Sequence, residues 1–483
     1  VEEVILAVLD AALMVTILCV VIAPVYGSVM LAARTAPISR HARLSRPHLV
    51  WGVVLTAAGV ALLVVTARSS RVVVPHDPAL AFILLAALAG AALLLLGIGP
   101  FVPWLAALLG RRAVRLAAPV RLAAQGAAGP RAAAVAATTA SATALALTFM
   151  IVGTAQTAQE RAAYSPQARS GALVVTWPSA EQAAAVRAAV QQELPGVPIV
   201  QSYRRPVLGY LSLNVHKVDG ERESDVSAVV IGDEGLLRYL TGDPSTPYDE
   251  QTAVIVTADG TDVDKVTVDY EACGNGDTSS TTKILSATAA RPAAPQEEKI
   301  FLPAPAVREL GCRPEPEELL IDPSVHRTTA IEQERLDRRL GASGTTFVEQ
   351  GFQAQDGWKV FAGAAIALAL GAALTMTRRT PADSRPMRVL LRVGGGPSLR
   401  WFAACHAGLV AACGTVTGAA AGCVMGLQLA WPLTAPGEWE SPPRVPFEPP
   451  WPAIAVLVAG LPVLVAAIAA VLGTTRRGNR GGG

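Results

Sequence analysis

The chain has 483 residues, of which 52% are hydrophobic and only 16% charged, with a formal net charge of +2 and a mean hydropathy of +0.41. A soluble protein of this length needs far more charge to cover its surface, so composition excludes an ordinary water-soluble enzyme or binding module. The apolar residues gather in runs near the roughly 20 residues that cross about 30 Å of hydrocarbon, which points to a bilayer rather than a buried core.

The chain opens Val1-Glu2-Glu3, with no basic stretch ahead of its first apolar run, so no cleavable signal peptide is read there. A first residue other than Met suggests either an alternative start or a chain missing its beginning. Apolar spans follow at residues 5–31, 49–67, 79–105, 132–154, 358–377, 401–430 and 451–473. In the third, Pro100 and Pro103 are expected to end the spanning part and leave Trp104 to Leu109 as an interfacial turn. The fourth is rich in Ala, with Thr138, Thr139, Ser141, Thr143 and Thr148, and is expected to face other helices rather than lipid. The sixth carries Gly414, Gly418, Gly422 and Gly426, one at every fourth position, a narrow stripe suited to close packing against another helix.

Charge orients these spans. The connectors 32–48, 110–131 and 378–400 and the tail 474–483 together hold 18 Arg against the single acid Asp383, and alternate crossings put all four on one side, the cytoplasm. The other side receives Glu2 and Glu3, the loop 68–78, the polar region and the loop 431–450. Six of the eight Trp lie near span ends, where an amphipathic ring prefers the headgroup zone.

Between the fourth and fifth spans lies a polar region. Leu173 to Thr176 reads as a strand, Ala180 to Leu194 as a helix stopped by Pro195-Gly196, and Ile199 to Tyr203, Leu211 to Val215, Val226 to Ile231 and Thr252 to Val256 as further strands. Segment 266–300 is the weakest part of this reading: Gly274 to Asp277 looks like a loop tip and Ala287 to Gln296 like a flexible stretch. Cys273 and Cys312 both fall in this region, where an oxidising compartment permits a disulfide, and pairing and two free thiols both stay open. No spaced signature of a catalytic or metal site is found, and Gly394-Gly395-Gly396 is followed by no Lys-Ser or Lys-Thr, so no ATPase or other enzyme is read in this chain.

The order of elements, an Ala-rich helix approached through Pro119-Val120-Arg121-Leu122-Ala123-Ala124, a fifth helix ending in Arg378-Arg379, and then Met387-Arg388-Val389-Leu390-Leu391-Arg392-Val393-Gly394-Gly395-Gly396 before a small-residue helix, resembles the FtsX-like ABC transporter permease family, in particular its large actinobacterial members. The resemblance implies a polytopic α-helical membrane protein with about seven transmembrane helices and one α+β extracytoplasmic domain. It divides the chain into a first helix remaining from an upstream unit (1–31), two linking helices (49–109), a helix (132–154), the external domain (155–357), three further helices (358–473) with a coupling segment (378–400), and a cytoplasmic tail (474–483). The first helices and first external domain of large members are absent from it.

The same resemblance implies a cell-membrane permease subunit that binds no cofactor itself, with ATP and Mg held by an ABC ATPase partner, and that moves its external domain as ATP is hydrolysed. Met387, Arg388, Leu390, Leu391, Arg392 and Gly394 to Gly396 are then the ATPase-coupling residues. Membrane lipids, a second permease subunit or a second copy of the chain, and an envelope protein complete the expected partners; nucleic acid is not among them. Two other readings stay open, a non-transporting membrane scaffold or regulator of envelope proteins, and a secondary transporter.

Overall fold

The computed structural model describes residues 22–36, 46–70, 79–112, 123, 129–204, 211–217, 220–221, 229–258, 263–271, 280–294, 298–379, 396–434 and 444–475. It divides the chain into a helical unit, Val1–Ala163 with Ala354–Gly483, and a second unit, Tyr164–Gln353.

The helical unit contains α1 (22–35), α2 (Arg46–Ser69), α3 (Ala79–Arg112), α4 (Pro130–Ala163), α9 (Gly357–Arg379), α10 (Gly396–Leu433) and α11 (Trp451–Thr475). Among the described residues six helices hold a stretch long and apolar enough to cross a bilayer: Leu49–Ser69, Ala81–Leu108, Pro130–Ala163, Gly357–Thr375, Trp401–Leu433 and Trp451–Val471. The chain is therefore a polytopic membrane protein. The first expected span, 5–31, falls mostly outside the described residues, and only α1 represents it.

Burial separates one helix from the rest: 72% of the apolar window of α4 is buried, against 22% for the windows of α2, α9 and α11. A helix so poor in large side chains has little to offer lipid, whereas Ala and Thr let neighbouring backbones approach it on all sides. Thr138, Thr139 and Thr148 each donate to the carbonyl four residues back.

α3 departs from the sequence expectation, for it runs through Pro100 and Pro103 to Arg112 without an interfacial turn at 104–109. Each proline removes one helical N–H, but a spanning helix tolerates this where neighbours pack on it, and Gly52 of α2 leaves the space that the Pro100 ring fills. α2 and α3 lie so close that a Cβ on Gly59 would come within 2.7 Å of the Gly90 carbonyl oxygen.

The second unit is a mixed α/β domain built on one sheet, in the order β11-β1-β10-β2-β5-β9-β6-β8-β7-β3-β4. Its strands are β1 (Leu173–Thr176), β2 (Val200–Arg204), β3 (Leu211–Lys217), β4 (Gly220–Glu221), β5 (Val229–Gly232), β6 (Ala253–Val256), β7 (Val263–Glu271), β8 (Ser280–Ala290), β9 (Lys299–Pro303), β10 (Glu315–Ile321) and β11 (Thr345–Val348). Its helices are α5 (Ala183–Glu193), α6 (Glu234–Thr241), α7 (Ala304–Glu309) and α8 (Ala330–Leu340). Pairing is antiparallel except for β5 with β9 and β6 with β8.

β1 and the end of β10 are covered on both faces, which explains the apolar runs Leu173 to Val175 and Leu319 to Ile321. Leu173, Val175, Leu319 and Ile321 pack on α5 and α8, while Val174 and Leu320 pack toward α6 with Phe301 of β9. The ends of α6 and α8 are set by local chemistry. Asp233 accepts from the Leu236 N–H and Gly242 closes α6 at φ 66°, while Thr329 and Glu332 form a reciprocal capping box at the start of α8.

The stretch Ala287 to Gln296, expected to be flexible, contains the end of an 11-residue strand, β8. Leu285 and Ala287 are buried while Ile284, Ser286 and Thr288 are exposed, so alternation is present but carried by small and polar residues that read weakly as a strand. The expected loop tip Gly274 to Asp277 lies outside the described residues.

Candidate functional site

All four glycines of the sixth-span stripe face α4. A Cβ on Gly414 or Gly422 would come within 2.6 Å of the carbonyl oxygens of Ala136 and Ala144, and one on Gly426 within 2.8 Å of Ile151. At Gly418 it would run into the Ala140 carbonyl itself. α4 answers with its own small residues at the same period, Ala136, Ala140 and Ala144, so the four glycines lie against α4 carbonyls and the inner atoms of Thr139, Leu147 and Ile151, with no room for a side chain at any of the four. A weak bond crosses it from the Thr148 hydroxyl to the Gly422 carbonyl at 3.5 Å. The Ala stripe of α4 is the half of the seam that sequence reasoning did not single out.

α4 meets α9 through aromatic residues. The Trp358 ring lies on Gly153, and Phe149 and Phe361 stack with centroids 5.6 Å apart. The far end of α10 is held by Arg444, which stacks 4.7 Å from the Trp431 ring and donates to the Trp431 carbonyl at 2.6 Å. A cation bonded to the last carbonyls of a helix offsets the partial negative charge there. The next residue reaches α4, since the Val445 N–H donates to Gln159 Oε1 at 3.0 Å.

Of the coupling segment, Met387, Arg388, Leu390, Leu391, Arg392, Gly394 and Gly395 lie outside the described residues, while Gly396 is the first residue of α10. Pro397 sits in the opening turn of α10, where its missing N–H costs nothing and its fixed φ favours the helix. Cys312 is buried at 4% exposure and disulfide-bonded. Cys273, the possible partner read from the sequence, lies outside the described residues.

The domain begins and ends at one polar cluster that the sequence did not reveal. Glu349, only 6% exposed, follows β11. Its carboxylate accepts the Tyr164 hydroxyl, the Gln167 N–H at 3.2 Å and the Gly351 N–H at 2.9 Å. Its backbone adds a short ladder, Glu349 N–H to the Ala172 carbonyl at 2.9 Å and Gly171 N–H to the Glu349 carbonyl at 2.6 Å. Edge-on contact of Tyr164 with Phe352, centroids 5.8 Å apart, completes a two-chain neck. The hydrogen bond to Glu349, followed by burial and the carboxylate's charge, pushes the Tyr164 phenol up to about 12.

Beside this neck the domain holds a small cleft of about 20 Å³, room for about one water molecule. One wall is the segment Pro166 to Ala168, just after Tyr164; another is α6, through Leu236, Tyr239 and Leu240; the floor is the α6-facing side of the sheet. The wall segment is pinned by its neighbour Arg169, whose N–H donates to the Tyr239 hydroxyl at 2.8 Å and whose guanidinium stacks 4.5 Å from that ring and pairs with Asp322 at 3.3 Å. Glu318 enters the floor from β10, where the register with β2 shifts between Pro316 and Glu318. Such a bulge re-aims the following side chain, and here it sets Glu318 opposite Ser202, whose hydroxyl donates to it at 3.1 Å. Burial raises the Glu318 carboxyl above its usual range, while the Ser202 hydrogen bond and Lys299 draw it back.

No protein-family model and no curated protein matches the sequence.

Proposed function

We propose that this chain is the permease subunit of an ABC-type transporter or mechanotransmission complex, and that a separate subunit binds ATP with Mg and hydrolyses it. The observation that carries the reading is the path through α4. This helix is buried among its neighbours, seamed to α10 along four glycines, and continuous in sequence with the neck that Glu349 closes. A rigid rod leading into a clamped pair of chains is what a device needs if it transmits displacement rather than opening a pore.

Supporting this are the resemblance carried by Pro119 to Ala124, Arg378-Arg379 and Met387 to Gly396, and the segregation of 18 Arg from the acids. On this reading the α/β domain is extracytoplasmic and the C-terminal tail cytoplasmic. Force delivered by the ATPase at 378–400 acts on α9 and α10, which bound that segment, and reaches α4 through the glycine seam and the Trp358 contact. The partners that follow are the ATPase, membrane lipid, a second permease subunit or second copy, and an envelope protein.

The test is purification of the tagged chain from its native membrane in mild detergent. An ATP-hydrolysing subunit in near-stoichiometric amount is expected. Recovery of an envelope protein with no ATPase activity favours the scaffold reading instead.

A further inference from the structure

The helical unit buries the imidazole of His406, a group that neither the glycine seam nor the neck uses. His406 of α10 is 5% exposed, and its ring lies parallel to that of Phe402, one turn earlier, with centroids 5.9 Å apart. Its Nδ1 stands 3.1 Å from the carbonyl oxygen of Ala123, a fully buried residue of the connector that leads into α4. A carbonyl oxygen can only accept, so Nδ1 carries the proton and donates it to this bond.

The contact lies off one end of the glycine seam. Gly414, where the seam begins, is about two turns further along α10, and Ala136 opposite it is already inside α4, which starts at Pro130. The seam joins α4 to α10 from Ala136 onward, and His406 extends the attachment to the chain ahead of α4. Ala123 belongs to the connector 110–131, which holds Arg111, Arg112, Arg115, Arg121 and Arg131 and no acid, while α10 opens at Gly396 out of the second basic connector, 378–400.

We propose that His406 is a positioning residue, a latch that fixes the connector 110–131 to α10 so that the two basic connectors move as one body. A displacement entering α10 at Gly396 then reaches α4 in two places, through the seam and through the chain that leads into its first turn. Histidine suits the task because its flat ring stacks on Phe402 and still presents one directed donor to a carbonyl. The role in transmission rests on the permease reading; the latch itself does not.

The first measurement is nuclear magnetic resonance of the unaltered full chain, carrying isotope-labelled histidine, in lipid nanodiscs. Nδ1 of His406 should hold a proton; an Nδ1 without one cannot donate and overturns the proposal. The second is amide hydrogen exchange on the same preparation. His406→Phe keeps a stacked ring and removes the donor, and should speed exchange about tenfold or more in peptides spanning Ala123. His406→Asn, whose amide nitrogen falls where Nδ1 stood, should restore slow exchange, and exchange in the α/β domain should change in neither variant. Unchanged exchange around Ala123 in His406→Phe, or equal acceleration in both variants, overturns the latch. If a variant fails to fold, the Nδ1 measurement on the unaltered chain still decides. Neither measurement needs the ATPase. With the ATPase present, His406→Phe should retain it through purification yet lose about tenfold in ATP-dependent function. Full function despite accelerated exchange overturns the transmission role alone, whereas an unaltered chain that recovers no ATPase is a failure of the permease reading.

Discussion

Glu349 gathers three donors in a nearly dry environment, and removing it leaves the Tyr164 hydroxyl and the N–H groups of Gln167 and Gly351 without an acceptor. Glu349→Ala should therefore destabilise the domain by about 3 kcal/mol, read from thermal unfolding of the full chain. The Tyr164 phenol ionises near 12 in the folded protein and near 10 when unfolded. Because the folded state holds this proton more tightly, the stability from this hydrogen bond is complete below about pH 10 and is lost as pH rises through the folded value. Tyr164→Phe should abolish that alkaline loss, and a loss that persists in the variant would assign it to another group. The glycines make a sharper contrast. Gly418→Leu, against the Ala140 carbonyl, should cost about 3 kcal/mol or more, whereas Gly460→Ala, with open space at its Cβ position, should be close to silent. Equal effects at the two positions would remove the seam from the account. The Gly stripe was legible because its partners recur at one fixed spacing. The Glu349 cluster was not, since its members are nearly two hundred positions apart and each alone is an ordinary polar residue.

At the level of elements, the long apolar helices were readable from hydropathy because a bilayer leaves little alternative to twenty consecutive apolar residues. The errors come where neighbours override local rules. Pro100 and Pro103 are breakers in isolation, yet α3 continues through both, and Gly52 leaves the space that the Pro100 ring fills. β8 was missed for the opposite reason: apart from Ile284 its exposed face is threonine and serine, and strand character comes from seven-residue pairing with β7 and four-residue pairing with β6 rather than from its own hydrophobicity. The α8 cap follows local chemistry closely. Thr329→Ala removes the acceptor of the Glu332 N–H and one donor to the Glu332 carboxylate, and should lower stability by about 1 kcal/mol in denaturant unfolding. An unchanged midpoint would mean that α8 is held by Leu336 and Leu340 alone.

For the whole molecule, charge and hydropathy agree on alternating crossings, with the Arg-rich connectors on one side and the α/β domain on the other. A thiol introduced near Trp431 or Thr154 should react with a membrane-impermeant reagent in intact cells and one near Arg115 should not; labelling at Arg115 reverses or breaks this topology. The domain's buried Cys312 should appear in a disulfide-linked peptide with Cys273 after non-reducing digestion, and Cys312→Ser should cost about 2–4 kcal/mol. What stays least legible is the partner, because a short basic segment reads equally as an inner connector and as a docking element. In a short helix the spacing of Met387, Leu390 and Leu391 would place them on one side, flanked by Arg388 and Arg392, a pattern suited to a groove with an acidic rim. The most direct test of the permease account is therefore the double substitution Leu390→Asp with Leu391→Asp, carried through membrane insertion and native purification. The account predicts normal insertion with loss of the ATPase subunit and of ATP-dependent function; a fully inserted double variant that recovers its ATPase with undiminished activity would contradict it.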